Sequence, residues 1–193
     1  MTAKEYQAEL QLNLISLFPN QEIRSEWAAF TGLKYQYSPR VDLAIGPFNI
    51  SPGANLIDTY NSLVQESQFN NFLTTAFQYH VVNLDLSLYD EILHPNFEQL
   101  IFKNQNSRCL IAIEIENLNS KKHIMGSIVN ASSLGRVGIG IACNLTTLNT
   151  FCRILNYLSF LKRVDKNTYD VTNFIVLTIA QVQHLLNNHL ENG

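Results

Sequence analysis

The sequence predicts an α/β protein, with a largely parallel or mixed sheet and helices packed against it. Three observations carry this reading. From residue 109 onward the patterns alternate: strand 109–116, helix 121–134, strand 137–143, helix 146–163, strand 172–179 and helix 180–190. Such an order needs crossovers, which join parallel strands. The segment Arg108-Cys109-Leu110-Ile111-Ala112-Ile113 is apolar enough to be a buried strand. Finally, 193 residues with 46% hydrophobic and 15% charged residues suffice for a single core, so we expect one domain.

Taken in order, Thr2 and Glu5 have capping-box spacing, and Tyr6, Leu10, Leu14 and Leu17 then recur at helical spacing until Pro19. Asn20 reads as the cap of a second short helix carrying Ile23, Trp27 and Phe30 and closed by Gly32. Two strands follow, roughly 33–37 and 40–45, separated by Ser38 and Pro39 and ended by Gly46 and Pro47. Residues 53–80 read as two helical pieces, one with Leu56, Tyr60, Leu63 and Val64, the next with Phe69, Phe72, Leu73, Ala76 and Phe77. Over 81–94, Val82, Leu84, Leu86 and Leu88 alternate like a strand, and an extended loop fits equally. Pro95 opens a short helix to about Lys103, and residues 104–107 form a turn.

No apolar run is long enough to span a membrane, and the first residues lack the apolar core of a signal peptide. Cys109, Cys143 and Cys152 are odd in number and lie in or beside apolar segments. They read as buried thiols in a reducing compartment, so a cytoplasmic location is expected. Net charge is −3, yet residues 99–168 carry +6 and the remainder −9. That asymmetry hints at a side facing a polyanion, although a solvated surface explains it as well. His80, His94, His184 and His189 lack metal-ligand spacing, and the glycines of 135–140 precede a strand, unlike a dinucleotide loop.

Two carboxylates, Glu114 and Glu116, close the strand 109–116. Alternation places Cys109, Ile111, Ile113 and Ile115 on one face and Leu110, Ala112, Glu114 and Glu116 on the other. Asp42, on the strand 40–45, offers a third. Buried charge of this kind is costly unless it is paired or binds a metal, and three such oxygens suit a hard cation such as Mg2+. The plain alternatives are that both glutamates face solvent and that Asp42 caps a turn or pairs with Arg40.

These residues resemble the core of the PD-(D/E)XK, or restriction-endonuclease-like, nuclease superfamily. That core has a helix, a hairpin whose second strand carries Asp, a strand with Glu-x-Lys or a variant, a helix and a further strand. The matching pieces are Val41-Asp42-Leu43-Ala44-Ile45-Gly46, Ile111-Ala112-Ile113-Glu114-Ile115-Glu116, the helix from Lys121 and Val137-Gly138-Ile139-Gly140-Ile141. Residues 33–46 and 108–143 match well, 1–30 weakly, and 47–107 stand as a largely helical insertion. Two departures matter: Pro39 lies three residues before Asp42, and Glu116 replaces the lysine.

The resemblance implies a metal-dependent hydrolase of DNA phosphodiesters using Mg2+ or Mn2+. Asp42, Glu114 and the Ile115 carbonyl would hold the cation. Glu116 would accept a proton or hold a second metal, and Lys122 would restore the missing positive charge. Arg40, Lys121 and Arg136 would grip phosphates around the acidic cluster. Glu9 on the first helix is a further acidic residue to place near the site. A catalytically inactive nuclease-fold subunit that binds nucleic acid or protein competes with this reading, as does an interaction domain using Phe69, Phe72, Phe77 and Tyr79. The oligomeric state stays open, a homodimer among the options.

Overall fold

Helix α1 (Ala3–Leu17) begins on the expected capping box: the Thr2 hydroxyl accepts from the Glu5 N–H, and the Glu5 carboxylate accepts from the Thr2 N–H. Two donors that a first turn leaves free are thereby satisfied. Tyr6, Leu10, Leu14 and Leu17 form its buried face. The computed structural model describes residues 2–30, 38–51, 55–85, 96–166 and 169–190.

The segment expected as a second short helix is instead strand β1 (Ile23–Ala28), antiparallel to β2 (Arg40–Ile45). Ile23 and Trp27 are both buried, as a helix would bury residues four apart. Residues four apart share a face of a regular strand as well, but within β1 Glu26 adopts a left-handed φ of 49°. The chain turns over there, so Ile23 joins one core cluster and Trp27 the other. Pairing with a distant segment satisfies the backbone and overrides the local helical period. The strand expected over 33–37 lies outside the described residues.

The insertion is helical where described: α2 (Ile57–Gln65), α3 (Ser67–Asp85) and α4 (Phe97–Phe102). Asn96 and Gln99 cap α4 reciprocally. Helix α3 continues through 81–85, the start of the segment whose alternation suggested strand or loop; residues 86–94 lie outside the described set. The continuation has a purpose in packing. Val176, on strand β5 (Phe174–Thr178), donates its N–H to His80 Nδ1 and receives Asn83 Nδ2 on its carbonyl. Helix α3 thus covers the outer edge of that strand.

The rest follows the expected alternation: β3 (Cys109–Glu116), α5 (Lys121–Leu134), β4 (Gly135–Ala142), α6 (Leu145–Arg163), β5, then α7 (Ile179–Leu190). Among the described residues, five strands form one open sheet in the order β1-β2-β3-β4-β5. β2 is antiparallel to both β1 and β3, while β3, β4 and β5 are parallel, so the sheet is mixed. Helices flank it on both faces: Tyr6, Leu10 and Leu14 of α1 pack with Ile113, Ile139 and Ile175, while Ile128 of α5 and Phe151 of α6 pack with Ala44, Ala112 and Val176.

Alternation along β3 is broken at its start. Cys109 belongs with Ala112 and Leu110 with Ile111, the reverse of the expected faces for these two residues. From Ile111 to Glu116 the expected faces hold. No helix among the described residues is long and apolar enough to cross a membrane.

Candidate functional site

The pairing of β2 with β3 sets Leu43 opposite Ile113, and one further step of that register brings Asp42 beside Glu114. There a side chain takes over the ladder: Asp42 Oδ2 accepts from the Ile115 N–H at 2.6 Å. Alternation from Ala44 and Ala112 turns Asp42, Glu114 and Glu116 toward the layer of α5. Helix α5 meets them with polar groups. Ser127 Oγ donates to Glu116 Oε1 at 2.5 Å, and the Asn130 side chain acts to lower the Glu114 carboxyl. The Ile124, Ile128, Ala131 and Leu134 side chains bury the same helix against the sheet and fix its position.

The electrostatics are those of crowded acids. Glu114 is 8% exposed. Burial above all, then the charges of Asp42 and Glu116, push its carboxyl up to about 9, against the Asn130 hydrogen bond. Burial also raises Asp42, helped by Glu26 and Glu116, while the Ile115 N–H and Arg40 act in the opposite direction. The Cys143 thiol is raised by burial and by Glu116 and Asp42, which places it beside the cluster. Its N–H donates to the Glu116 carbonyl at 2.9 Å.

Glu26 is a member that sequence reasoning passed over. Once 23–28 is a strand, the register carries Glu26 opposite Asp42, between the pairs Ser25 with Leu43 and Trp27 with Val41. Arg40 Nε lies 3.1 Å from its carboxylate, and Gln7 Nε2 of α1 donates both to that carboxylate and to the Asp42 carbonyl. An acidic residue inside a presumed helix offered no signal; an acidic residue two strands from Glu114 would have.

The expected basic surround is gathered only in part. Arg40 is at the cluster, tied to Glu26. Lys121 and Lys122 lie exposed in the first turn of α5, ahead of Ser127. Arg136 corrects the expectation outright. It is 1% exposed, near the start of β4, where Nη1 donates to the Asn104 carbonyl and Nη2 to Asn61 Oδ1 over the Phe102 ring. Glu116 pairs with Ala142, at the other end of that strand, six residues or roughly 20 Å away. Glu9 is exposed on α1, and its charge acts on Tyr6. The +6 segment is likewise dispersed: Lys103 and Lys162 both pair with Asp170, at 2.7 and 2.9 Å.

Among the described residues no group of three or more His, Cys, Asp or Glu side chains is arranged to hold a metal ion. Asp42, Glu114 and the Ile115 carbonyl are hard oxygen donors by chemistry, and both carboxyls are raised by burial and by neighbouring acidic charge. A cleft of about 460 Å3 lies elsewhere, between α3, α6 and the approach to β5, lined by Leu84, Leu155, Leu158 and Phe174 with Lys162 and Asp170. No family model, curated protein or solved structure matches this chain.

Proposed function

We propose that this protein is a metal-dependent nuclease of the restriction-endonuclease-like kind, hydrolysing DNA phosphodiester bonds with Mg2+ or Mn2+. The observation that carries the reading is the convergence of Asp42, Glu114 and Glu116 at one end of adjacent strands, buried enough to raise the first two, with Arg40 as the cation felt by Asp42. Acids held this close repel one another, and a divalent cation relieves that repulsion. Asp42 and Glu114, with the Ile115 carbonyl, would hold the ion. Bound there, it would polarise the scissile phosphate and lower the pKa of a water. Glu116, positioned by Ser127, accepts the water's proton. Arg40 steadies a neighbouring phosphate while keeping Glu26 in place.

The expected outcome is cleavage of single- or double-stranded DNA with Mg2+ or Mn2+, binding with little cleavage in Ca2+, and loss of cutting in Asp42→Ala and Glu114→Ala. A wild type inert on both substrates with both metals would remove the catalytic reading.

One feature favours the second reading, a nuclease-fold protein that binds nucleic acid or protein without cutting. The position of the usual lysine is Glu116, and Arg136 is committed to the interior. Glu116→Lys separates the two. It impairs a site in which Glu116 works, and it restores or raises cutting in a site that has merely decayed.

A further inference from the structure

We propose that the cleft between α3, α6 and the approach to β5 binds a small amphipathic anion, an apolar chain or ring carrying one carboxylate. The cleft stands apart from the acidic cluster, since β5 ends the sheet two strands beyond β3. It therefore does not depend on the nuclease reading.

At about 460 Å3 the cleft has the size of a small-molecule site. Its two ends differ in chemistry. Leu84, Leu155, Leu158 and Phe174 line it and are each at most 8% exposed, so they form a buried apolar end. His80 adds no charge there, because Nδ1 accepts the Val176 N–H and the ring is therefore neutral. An apolar group that displaces water from such a wall gains free energy. Lys162 and Arg163, both exposed, belong to the rim, together with Asp170.

The rim charges do not cancel. Lys103 and Lys162 both meet Asp170 Oδ2, at 2.7 and 2.9 Å, so two cations share one carboxylate. The Thr172 N–H and hydroxyl donate to Oδ1, the other oxygen. One positive charge is left over, and Arg163 lines the same rim. A ligand carboxylate answers that surplus, whereas a cationic head is repelled. Apolar walls for the body and a surplus cation for the head together select a monoanionic amphiphile.

The test is isothermal titration calorimetry of the full chain with hexanoate, octanoate, decanoate, decanol and decyltrimethylammonium, each below its micelle-forming concentration. Expected is one site whose affinity for the acids rises severalfold with chain length, since each buried methylene is worth up to about fourfold. Decanoate should bind about tenfold tighter than decanol, and decyltrimethylammonium weakest of the three. Ser159 lines the cleft and is partly exposed, so Ser159→Trp should fill it from the rim and weaken decanoate at least about tenfold. Circular dichroism checks the fold, and Ser159→Leu carries the test if the tryptophan variant unfolds. Lys162→Gln should cost decanoate about tenfold and leave decanol unchanged. Lys166→Gln, outside the lining, should bind as wild type does. Asp42→Ala and Glu114→Ala should also keep decanoate binding, which separates this proposal from the fate of the nuclease reading. No saturable binding of decanoate overturns the proposal. Wild-type affinity in the folded Ser159 variant overturns it too, because the ligand would then sit elsewhere. Equal affinities for the acid, the alcohol and the cation overturn the anionic head.

Discussion

Glu114 gives the site a pH signature. Its folded carboxyl is raised to about 9 from an ordinary value near 4.5, so across that window the folded state holds a proton that the unfolded state has lost. The sign follows from linkage: its contribution to stability is complete below the unfolded value and is lost as pH rises through the folded one. In the absence of divalent cation, unfolding free energy should therefore fall between pH 5 and 9. Glu114→Gln, which keeps the shape and removes the charge, should flatten that slope. At pH 8 the variant should be more stable than wild type, because there the wild type must hold a proton that its unfolded chain has given up. Urea melts at several pH values measure both. A wild type whose stability rises across this window would contradict the buried, crowded carboxyl. Saturating Mg2+ should restore the alkaline loss in wild type and do nothing for the variant, because only a ligand bound to the folded form shifts the balance.

Strand β4 shows how tightly an element is held under its helices. It is buried along its whole length, and a Cβ on Gly140 would lie 2.6 Å from Phe174 Cζ and 2.7 Å from Phe151 Cε1. The two rings stack beneath α6 with centroids 5.9 Å apart. Gly140→Ala should therefore force both rings aside and destabilise by about 1–3 kcal/mol in a denaturant melt. Gly140 also pairs with Glu114 across the parallel ladder, so displacement of β4 there should be felt at the carboxylates. Unchanged stability would mean that the rings move freely and that α6 is not seated as described. In β1, the same dependence on long-range packing appears at Glu26: pairing with β2 sets Trp27 opposite Val41 and Glu26 opposite Asp42.

The molecule divides its charged groups between two ends of one sheet. At the far end, Arg136 bonds Asn61 and Asn104, and Asn104 and Asn173 bond the Ser132 and Gly135 carbonyls where α5 runs directly into β4. This is a structural network, and Arg136→Ala should cost about 2–4 kcal/mol through unpaired acceptors and lost packing. It should leave the Mg2+ dependence of any cleavage unchanged, measured at a temperature where the variant is folded. A shift in cation dependence would show that the two ends are coupled.

Much of this was legible in the chain. Capping of α1, helices over 121–134 and 146–163, the strand at 109–116 and the strand carrying Asp42 all follow from interactions within a few residues, where spacing and caps are written directly. The i, i+2 placement of Glu114 and Glu116 on one face is a property of any extended strand. What folding settled was which distant segments meet. Ile23 and Trp27 fitted a helix until β2 supplied a partner, and Arg136 fitted a phosphate-gripping role until Asn61 and Asn104 enclosed it. Glu26, Ser127, Asn130 and Cys143 gained their place at the carboxylates only from register and helix packing. Local periodicity fixes the direction of a side chain relative to its own element; the neighbour it meets depends on contacts far apart in sequence, which no local pattern specifies.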